Sequence, residues 1–260
     1  MYWLGIDIGT GGSRALLVDE KGAIRAAHTA AHAEMAMERP LWAEQHPDDW
    51  WRAACQAIRG VLEQAEATGA DVAGIGLSGQ MHGLVLLDSE GNVLRPALIW
   101  CDQRSQTQVE WINQAVGTKA VLDHTANPVL TGFTLPKLLW VRDHQPELYS
   151  RVAKILLPKD YIRFRLTGVY ASDVSDASGT SLFNVVKRSW STEMAKGVGV
   201  AESLLPDVFE SAQETGRISP EAAKLTGLRA GTPVVAGGGD QASSAVGNGI
   251  VEQGLVSCTV

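Results

Sequence analysis

Four stretches of this chain gather reactive side chains, three of them beside glycine. The first is Asp7-Ile-Gly-Thr-Gly-Gly-Ser13. Aspartate is disfavoured inside strands, and this one precedes a loop where Gly9, Gly11 and Gly12 let backbone N–H groups approach an anion. Thr10 and Ser13 add hydroxyl donors. A carboxylate beside such a phosphate cradle suits a hydrated Mg²⁺ ion at Asp7; a plain hairpin turn with Asp7 bonded locally is the alternative. The loop is not a Walker motif, because no Gly-Lys-Ser/Thr follows. The second stretch, Gly237-Gly-Gly-Asp240-Gln241, strips side chains from the carboxyl end of a strand, where α/β proteins bind ligands. Asp240, at the start of the next helix, can take a hydroxyl proton and orient that oxygen for attack on phosphorus. It can equally cap the helix. In the third, Ser78-Gly-Gln-Met-His-Gly83, the residues Gln80, Met81 and His82 can contact a small polar ligand, or His82 can be structural. Metal binding is disfavoured there, since no second His or Cys lies at ligand spacing. In the fourth, Trp100-Cys-Asp-Gln-Arg104, Asp102 and Arg104 either meet a ligand or pair with each other, and Trp100 either faces it or joins the core.

Each stretch needs a strand end to hold it. Tyr2, Leu4, Ile6 and Ile8 share one parity, Ala15-Leu-Leu-Val18 resumes the run after the glycines, and a turn at Glu20-Lys-Gly22 leads to a third strand over Ala23 to His32. These predict an antiparallel meander. Pro47, Asp48 and Asp49 suit a first helical turn, and Trp51, Ala54, Cys55, Ile58, Val61, Leu62 and Ala65 recur at helical spacing, with Cys55 as a small core residue. Val72 to Leu77 reads as a buried strand, and Leu84 to Ile99 as a hairpin-like unit. Gln103 to Leu166 is largely helical, punctuated by Pro128, Pro136, Pro146 and Pro158. Gly231 to Ala236 returns to a buried strand; with the glycines and the helix after it, this forms an α/β unit. The final Leu255-Val-Ser-Cys-Thr-Val260 is strand-like and apolar; an open edge there is a liability, so a cut ahead of further sequence is expected.

The composition narrows the partners. Across 260 residues, 22 Lys+Arg face 29 Asp+Glu for a net charge of −7, with no block of basic residues, so a coat for nucleic acid or anionic membrane is excluded. Cys55, Cys101 and Cys258 are too few and odd in number for a disulfide scaffold. No run approaches the roughly 18 apolar residues of a membrane helix, and an N-terminus with Asp7 inside its apolar run is not a signal peptide. A cytoplasmic protein with small-molecule partners is expected; a homodimer is left open.

These features, in this order, resemble the FGGY carbohydrate kinases over essentially the whole chain. Gly132-Phe-Thr-Leu-Pro-Lys-Leu-Leu-Trp-Val-Arg-Asp-His144 matches the family's first signature, with Lys137 and Trp140 reading as framework on a helix stripe that also holds Phe133 and Val141. Asp7 to Ser13 looks like the phosphate loop of the hexokinase, actin and Hsp70 superfamily. The resemblance implies an α/β, ribonuclease H-like fold: a mixed sheet with an N-terminal β-meander, flanked by helices. Residues 1–247 would be the sugar-binding N-terminal domain. Residues 248–260 would begin a C-terminal domain carrying a second phosphate loop and the adenosine site, leaving this piece inactive by itself. The resemblance further implies ATP and Mg²⁺ as cofactors, with Asp7 organising the metal, Gly9, Thr10, Gly11, Gly12 and Ser13 on the phosphates, and Asp240 as general base. Gln80-Met-His82 is similar to the xylulokinase branch, where the Met-His pair contacts the ketose; glycerol kinases have Arg-Glu there. Leu157-Pro-Lys-Asp-Tyr161 and Ser172 to Thr180 look the same way. One position departs: many xylulokinases have Asn where this chain has Gln241. The implied reaction converts D-xylulose to D-xylulose 5-phosphate, with Met81, His82, Asp240 and Gln241 on the sugar. Another pentulose, gluconate or a polyol are the alternative substrates, and an inactive sugar-binding module is the alternative for the piece.

Overall fold

In the computed structural model, which describes residues 1–258, the alternation that starts at Tyr2 becomes three antiparallel strands. They are β1 (Tyr2–Ile8), β2 (Gly12–Asp19) and β3 (Ile24–Ala31). Leu4, Ile6, Ile8, Ala15 and Leu17 are buried together. After the short β4 (Glu44–Gln45), helix α1 (Pro47–Gln64) covers them with Trp50, Ala54, Ile58 and Val61. Pro47 occupies the first turn, where its missing N–H costs nothing, and the His46 ring accepts the Asp48 N–H at 3.3 Å. Cys55 lies in this core, and burial pushes its thiol up to about 11.

β5 (Val72–Gly79) enters beside β1 and parallel to it. A strand flanked by parallel neighbours is buried on both faces, which is why this segment reads as a continuous small and apolar run. The chain then leaves the sheet. β6 (Val85–Leu87), β7 (Ala97–Leu98), α2 (Gln106–Ile112), α3 (Thr118–Thr125), α4 (Thr134–His144), α5 (Pro146–Tyr149) and β8 (Lys154–Leu156) follow. A second core forms here, where Leu135, Leu138, Leu139 and Val141 of α4 pack with Leu86, Leu98 and Ile112. The expected helical stretch is interrupted by β8, which pairs with β6. Next come α6 (Pro158–Thr167), β9 (Ala171–Asp173), α7 (Val174–Ala177), β10 (Phe183–Asn184), β11 (Ser189–Trp190), α8 (Thr192–Val198) and β12 (Asp207–Phe209).

The return to the sheet runs through β13 (Glu214–Arg217), α9 (Pro220–Thr226), β14 (Pro233–Val235), β15 (Gly238–Gly239) and α10 (Asp240–Gly247). The main sheet has the order β13-β14-β5-β1-β2-β3, with β15 also on β5. It is mixed: β1, β14 and β15 all run parallel to β5, while the meander and the β13–β14 pair are antiparallel. The expectation of a terminal strand at 255–260 is corrected for its described part. Leu255 and Val256 are 50% and 85% exposed and belong to no strand, because a strand needs a neighbour's backbone groups and none among the described residues pairs with them. Thr259 and Val260 lie outside the described residues. Among those residues no helix is long and apolar enough to cross a membrane.

Candidate active site

The register of three parallel strands brings the two aspartates to one end of the sheet. Ser78 of β5 stands opposite Asp7 of β1 on one side and Gly238 of β15 on the other. Its hydroxyl donates to Asp7 Oδ1 at 2.6 Å, which holds that half-exposed carboxylate at the strand end. Gly237 makes the step from β14 to β15 with φ of +83°, and a Cβ there would lie 2.3 Å from the Leu77 carbonyl oxygen. Only glycine fits that conformation and that space. Asp240 then opens α10. The cap position belongs to Gly239, so capping does not account for the Asp240 carboxylate, which accepts the Gln241 N–H at 2.7 Å. Burial raises the Asp240 carboxyl above the usual carboxylate range. The Gln241 N–H opposes that shift, and the charge of Asp7 adds to it. A partly desolvated carboxylate with a raised proton affinity is suited to accept a hydroxyl proton.

The glycine loop closes β1 onto β2 through Gly9 N–H to the Gly12 carbonyl at 3.0 Å. At Gly11 a Cβ would meet nothing within 4 Å, so the space beside its α-carbon is open, while its carbonyl accepts the His32 N–H at 3.1 Å. Thr10 Oγ1 accepts the Trp100 indole N–H at 2.9 Å, which places the 48% exposed Trp100 over the loop and not in the core. Ser13 departs from its expected place among the loop's hydroxyl donors. It is fully buried, with its Oγ bonded to His32 Nε2 at 2.9 Å and donating to the Trp50 carbonyl at 3.4 Å. Strand parity is the reason: Ser13 shares the inward side of Ala15 and Leu17. Behind the loop, Gln45 Nε2 donates to the Thr10 carbonyl at 2.7 Å, while Trp50 Nε1 and Gln80 Nε2 donate to Gln45 Oε1 at 3.0 and 3.1 Å.

Past the end of β5 the Gln80 N–H donates to the Ile8 carbonyl at 2.8 Å, and Met81 and His82 follow. Met81 lies against Gly239, where a Cβ would come within 2.9 Å of its Cγ. The thioether thus packs directly beside the residue that precedes Asp240. His82 has φ of +68°, and its ring stacks on Phe133 with centroids 4.5 Å apart. Its Nδ1 lies 2.9 Å from the Gly179 carbonyl, which can only accept, so Nδ1 carries the proton and the neutral ring leaves Nε2 as an acceptor. Burial lowers the ring's proton affinity to about 4, against the Gly179 bond and with help from the charge of Lys137. His82 is therefore a neutral hydrogen-bonding group near neutral pH.

The fourth stretch divides. Asp102 and Arg104 are buried and paired at 2.7 Å; Arg104 also reaches Glu44 at 2.7 Å and lies 3.7 Å above the Trp42 ring. They are framework. Gln241 is exposed on the first turn of α10, beside Asp240.

Two segments noted only for their likeness, Leu157 to Tyr161 and Ser172 to Thr180, come together behind Asp240, a packing that the sequence reading did not anticipate. Asp173 caps α7, accepting from Ser175 Oγ at 2.6 Å and Ser211 Oγ at 2.8 Å; Ser175 Oγ in turn accepts the Gly239 N–H at 3.1 Å. Fully buried Lys159 lies 2.6 Å from Asp160, 2.8 Å from Asp173 and 3.6 Å from Asp176. Burial pushes the Asp176 carboxyl well above the usual range, against the charge of Lys159 and with help from those of Asp160, Asp173 and Asp240. The available signal was one lysine and three aspartates, Lys159, Asp160, Asp173 and Asp176, in two segments already singled out for their likeness.

Residues 2–247 match the model of the FGGY family of carbohydrate kinases, N-terminal domain. Xylulose kinase of Escherichia coli (strain K12) is 43% identical over 250 residues, covering 96% of this chain and 50% of that protein. Xylulose kinase of Bacillus subtilis (strain 168) is 40% identical over 259 residues, covering 100% and 52%. The crystal structure of xylulose kinase from Rhodospirillum rubrum is similar with a TM-score of 0.92 at 29% identity, over 98% of this chain and 52% of that one. The chain spans about half the length of the curated relatives it matches. Its mixed sheet with an N-terminal meander is the ribonuclease H-like fold expected from the sequence. The chain belongs to the FGGY family of carbohydrate kinases and forms its N-terminal domain.

Proposed function

We propose that this chain is the sugar-binding half of an ATP-dependent kinase that converts D-xylulose to D-xylulose 5-phosphate. The observation that carries the reading is the convergence on Ser78: Asp7 and the strand leading to Asp240 flank it, and Met81 and His82 leave the same strand end. The names of the relatives support the choice of ketose.

In this reading Met81 and His82 orient the sugar, His82 Nε2 accepting one of its hydroxyl protons, and Gln241 reaches a further hydroxyl from the first turn of α10. The primary hydroxyl oxygen forms a bond to the γ-phosphorus as the bond to the ADP oxygen breaks, and the hydroxyl proton passes to the Asp240 carboxylate. Positioning supplies most of the rate in such loose transfers. Asp7 and the open turn Gly9–Gly12 fit the phosphates of ATP with Mg²⁺. Asp7 offers a carboxylate to water on the metal, and among the described residues no group of three or more acidic, His or Cys side chains forms a closed metal cage. A single carboxylate suits an ion that keeps its waters and takes ligands from phosphate. When bound, the ion neutralises charge on the phosphates. The adenosine would be held by sequence beyond this domain, with residues 248–260 leading into it.

The test is a sugar-dependent ADP-release panel on the full-length kinase, with Asp240→Asn alongside. D-xylulose is expected to be the preferred acceptor, and Asp240→Asn to lose about 10²–10⁴-fold in turnover while calorimetry still registers ketose binding. Near-normal turnover in the variant would remove Asp240 as base, and preference for gluconate or a polyol would overturn the ketose assignment.

A further inference from the structure

Lys137 is fully buried, yet among the described residues its hydrogen-bond partners are two backbone carbonyls and no carboxylate: Gly132 at 2.6 Å and His82 at 3.1 Å. A buried ammonium without a counter-ion is costly, and burial brings its proton affinity down to about 7, against the pull of Asp102 and Cys101. Two carbonyls require two N–H donors, and a neutral amine still has two, so the grip survives loss of the proton. The two carbonyls are not equivalent bystanders. One belongs to His82, held in the left-handed region that non-glycine residues rarely adopt. The other belongs to Gly132, whose peptide bond leads to Phe133, the ring on which His82 stacks. Thr134 Oγ1 adds a second donor to the His82 carbonyl at 3.2 Å. Uncommon backbone geometry persists where its surroundings over-determine it, and that is the arrangement at His82.

We propose that Lys137 is a positioning residue of the sugar site: by gripping the carbonyls of His82 and Gly132 it fixes both the histidine and the aromatic ring beneath it, and so aims His82 Nε2 at the ketose. This rests on the reading that His82 contacts the sugar.

The test uses the full-length kinase as wild type, Lys137→Met, Thr134→Val and His82→Ala. D-xylulose affinity is measured by calorimetry, the hydrogen-bonded His82 ring N–H by NMR (assigned by its disappearance in His82→Ala), and the thermal midpoint by unfolding. Lys137→Met is expected to weaken ketose binding at least tenfold and to lose the sheltered ring N–H signal; Thr134→Val is expected to weaken binding about threefold and to broaden it. An unchanged ring signal with affinity within twofold of wild type overturns the proposal, even if the midpoint falls, because the lysine is then only part of the core. If Lys137→Met does not fold, an unaltered ring signal in Thr134→Val overturns it. Normal ketose binding by His82→Ala defeats the sugar-contact reading instead, and the clamp is still judged by the ring signal.

Discussion

Gly179 leaves no room for a methyl group beside His82, and Gly179→Ala therefore measures how much the ring's placement matters. A Cβ at position 179 would lie 2.3 Å from His82 Cε1 and 2.4 Å from Nδ1, where ordinary contact begins at 3.4 Å. The ring must move by about 1 Å, on the order of the misplacement that costs about 100-fold in positioned chemistry. It cannot yield freely, since Phe133 stacks on it and Lys137 and Thr134 hold its backbone. The shift stretches the 2.9 Å bond from Nδ1 to the Gly179 carbonyl, a loss of about 0.5–1.5 kcal/mol, and overpacking adds about 1–3 kcal/mol to the stability cost. Position 179 lies in a short 3₁₀ turn without a positive φ, so alanine introduces no backbone strain of its own. The expected result is a folded chain whose dissociation constant for D-xylulose rises about 10- to 100-fold, or about 1.4–2.8 kcal/mol. Calorimetry with D-xylulose reads the affinity, and urea unfolding reads the stability. Binding within twofold of wild type in a folded Gly179→Ala would show that the His82 position does not set ketose affinity, and the reasoning from its cage would fail.

Ser175→Ala removes the acceptor of the Gly239 N–H and with it the tie between the Asp173–Lys159 cluster and the residue preceding Asp240. In the full-length kinase kcat is expected to fall about tenfold, in line with one lost hydrogen bond, with KM for the ketose little changed and Ser175→Thr restoring the rate. An unchanged kcat would show that the Ser175 hydrogen bond does not position Asp240. The His82 ring, held near 4 when folded and near 6.5 when unfolded, binds more protons in the unfolded chain between those values. Its contribution to stability is therefore complete above about pH 6.5 and is lost as the pH falls towards 4, by up to about 3 kcal/mol at 1.36 kcal/mol per unit. Urea unfolding at pH 7 and pH 4.5 is expected to show a steeper loss for wild type than for His82→Ala; equal slopes would refute the assignment.

Local pattern carried the meander, the first helix and the glycine-flanked strand ends. Alternation at Tyr2 to Ile8 and the stripe from Trp51 to Leu62 are periodicities that a single segment expresses by itself. The same reasoning failed where a side chain's task depends on a distant neighbour. Ser13 was counted with the loop although its parity turns its hydroxyl inward to His32. Trp100 was as compatible with a core as with the exposed place it takes over Thr10. Lys137 read as framework on a helix stripe, and nothing in its own segment shows that its amino group closes on the carbonyl of His82. The segments of the Lys159 cluster were noticed for their likeness, but nothing in either one shows that Lys159 meets Asp173 and Asp176 across the fold.

The sequence by itself determined which residue types are available and how the chain turns around them: Asp7 before a glycine loop, Asp240 after three glycines, and Met81-His82 between two others. Only the tertiary structure decided that their segments come to one end of the sheet. Asp7 and Asp240 come from opposite ends of the chain, and they meet because β1 and β15 pair in parallel with β5 at the same residue, Ser78. Periodicity tells which side of a strand faces inward but not which strand lies next to it. Parallel pairing is made between segments far apart in sequence, so neighbourhood is settled by the packing of the whole sheet.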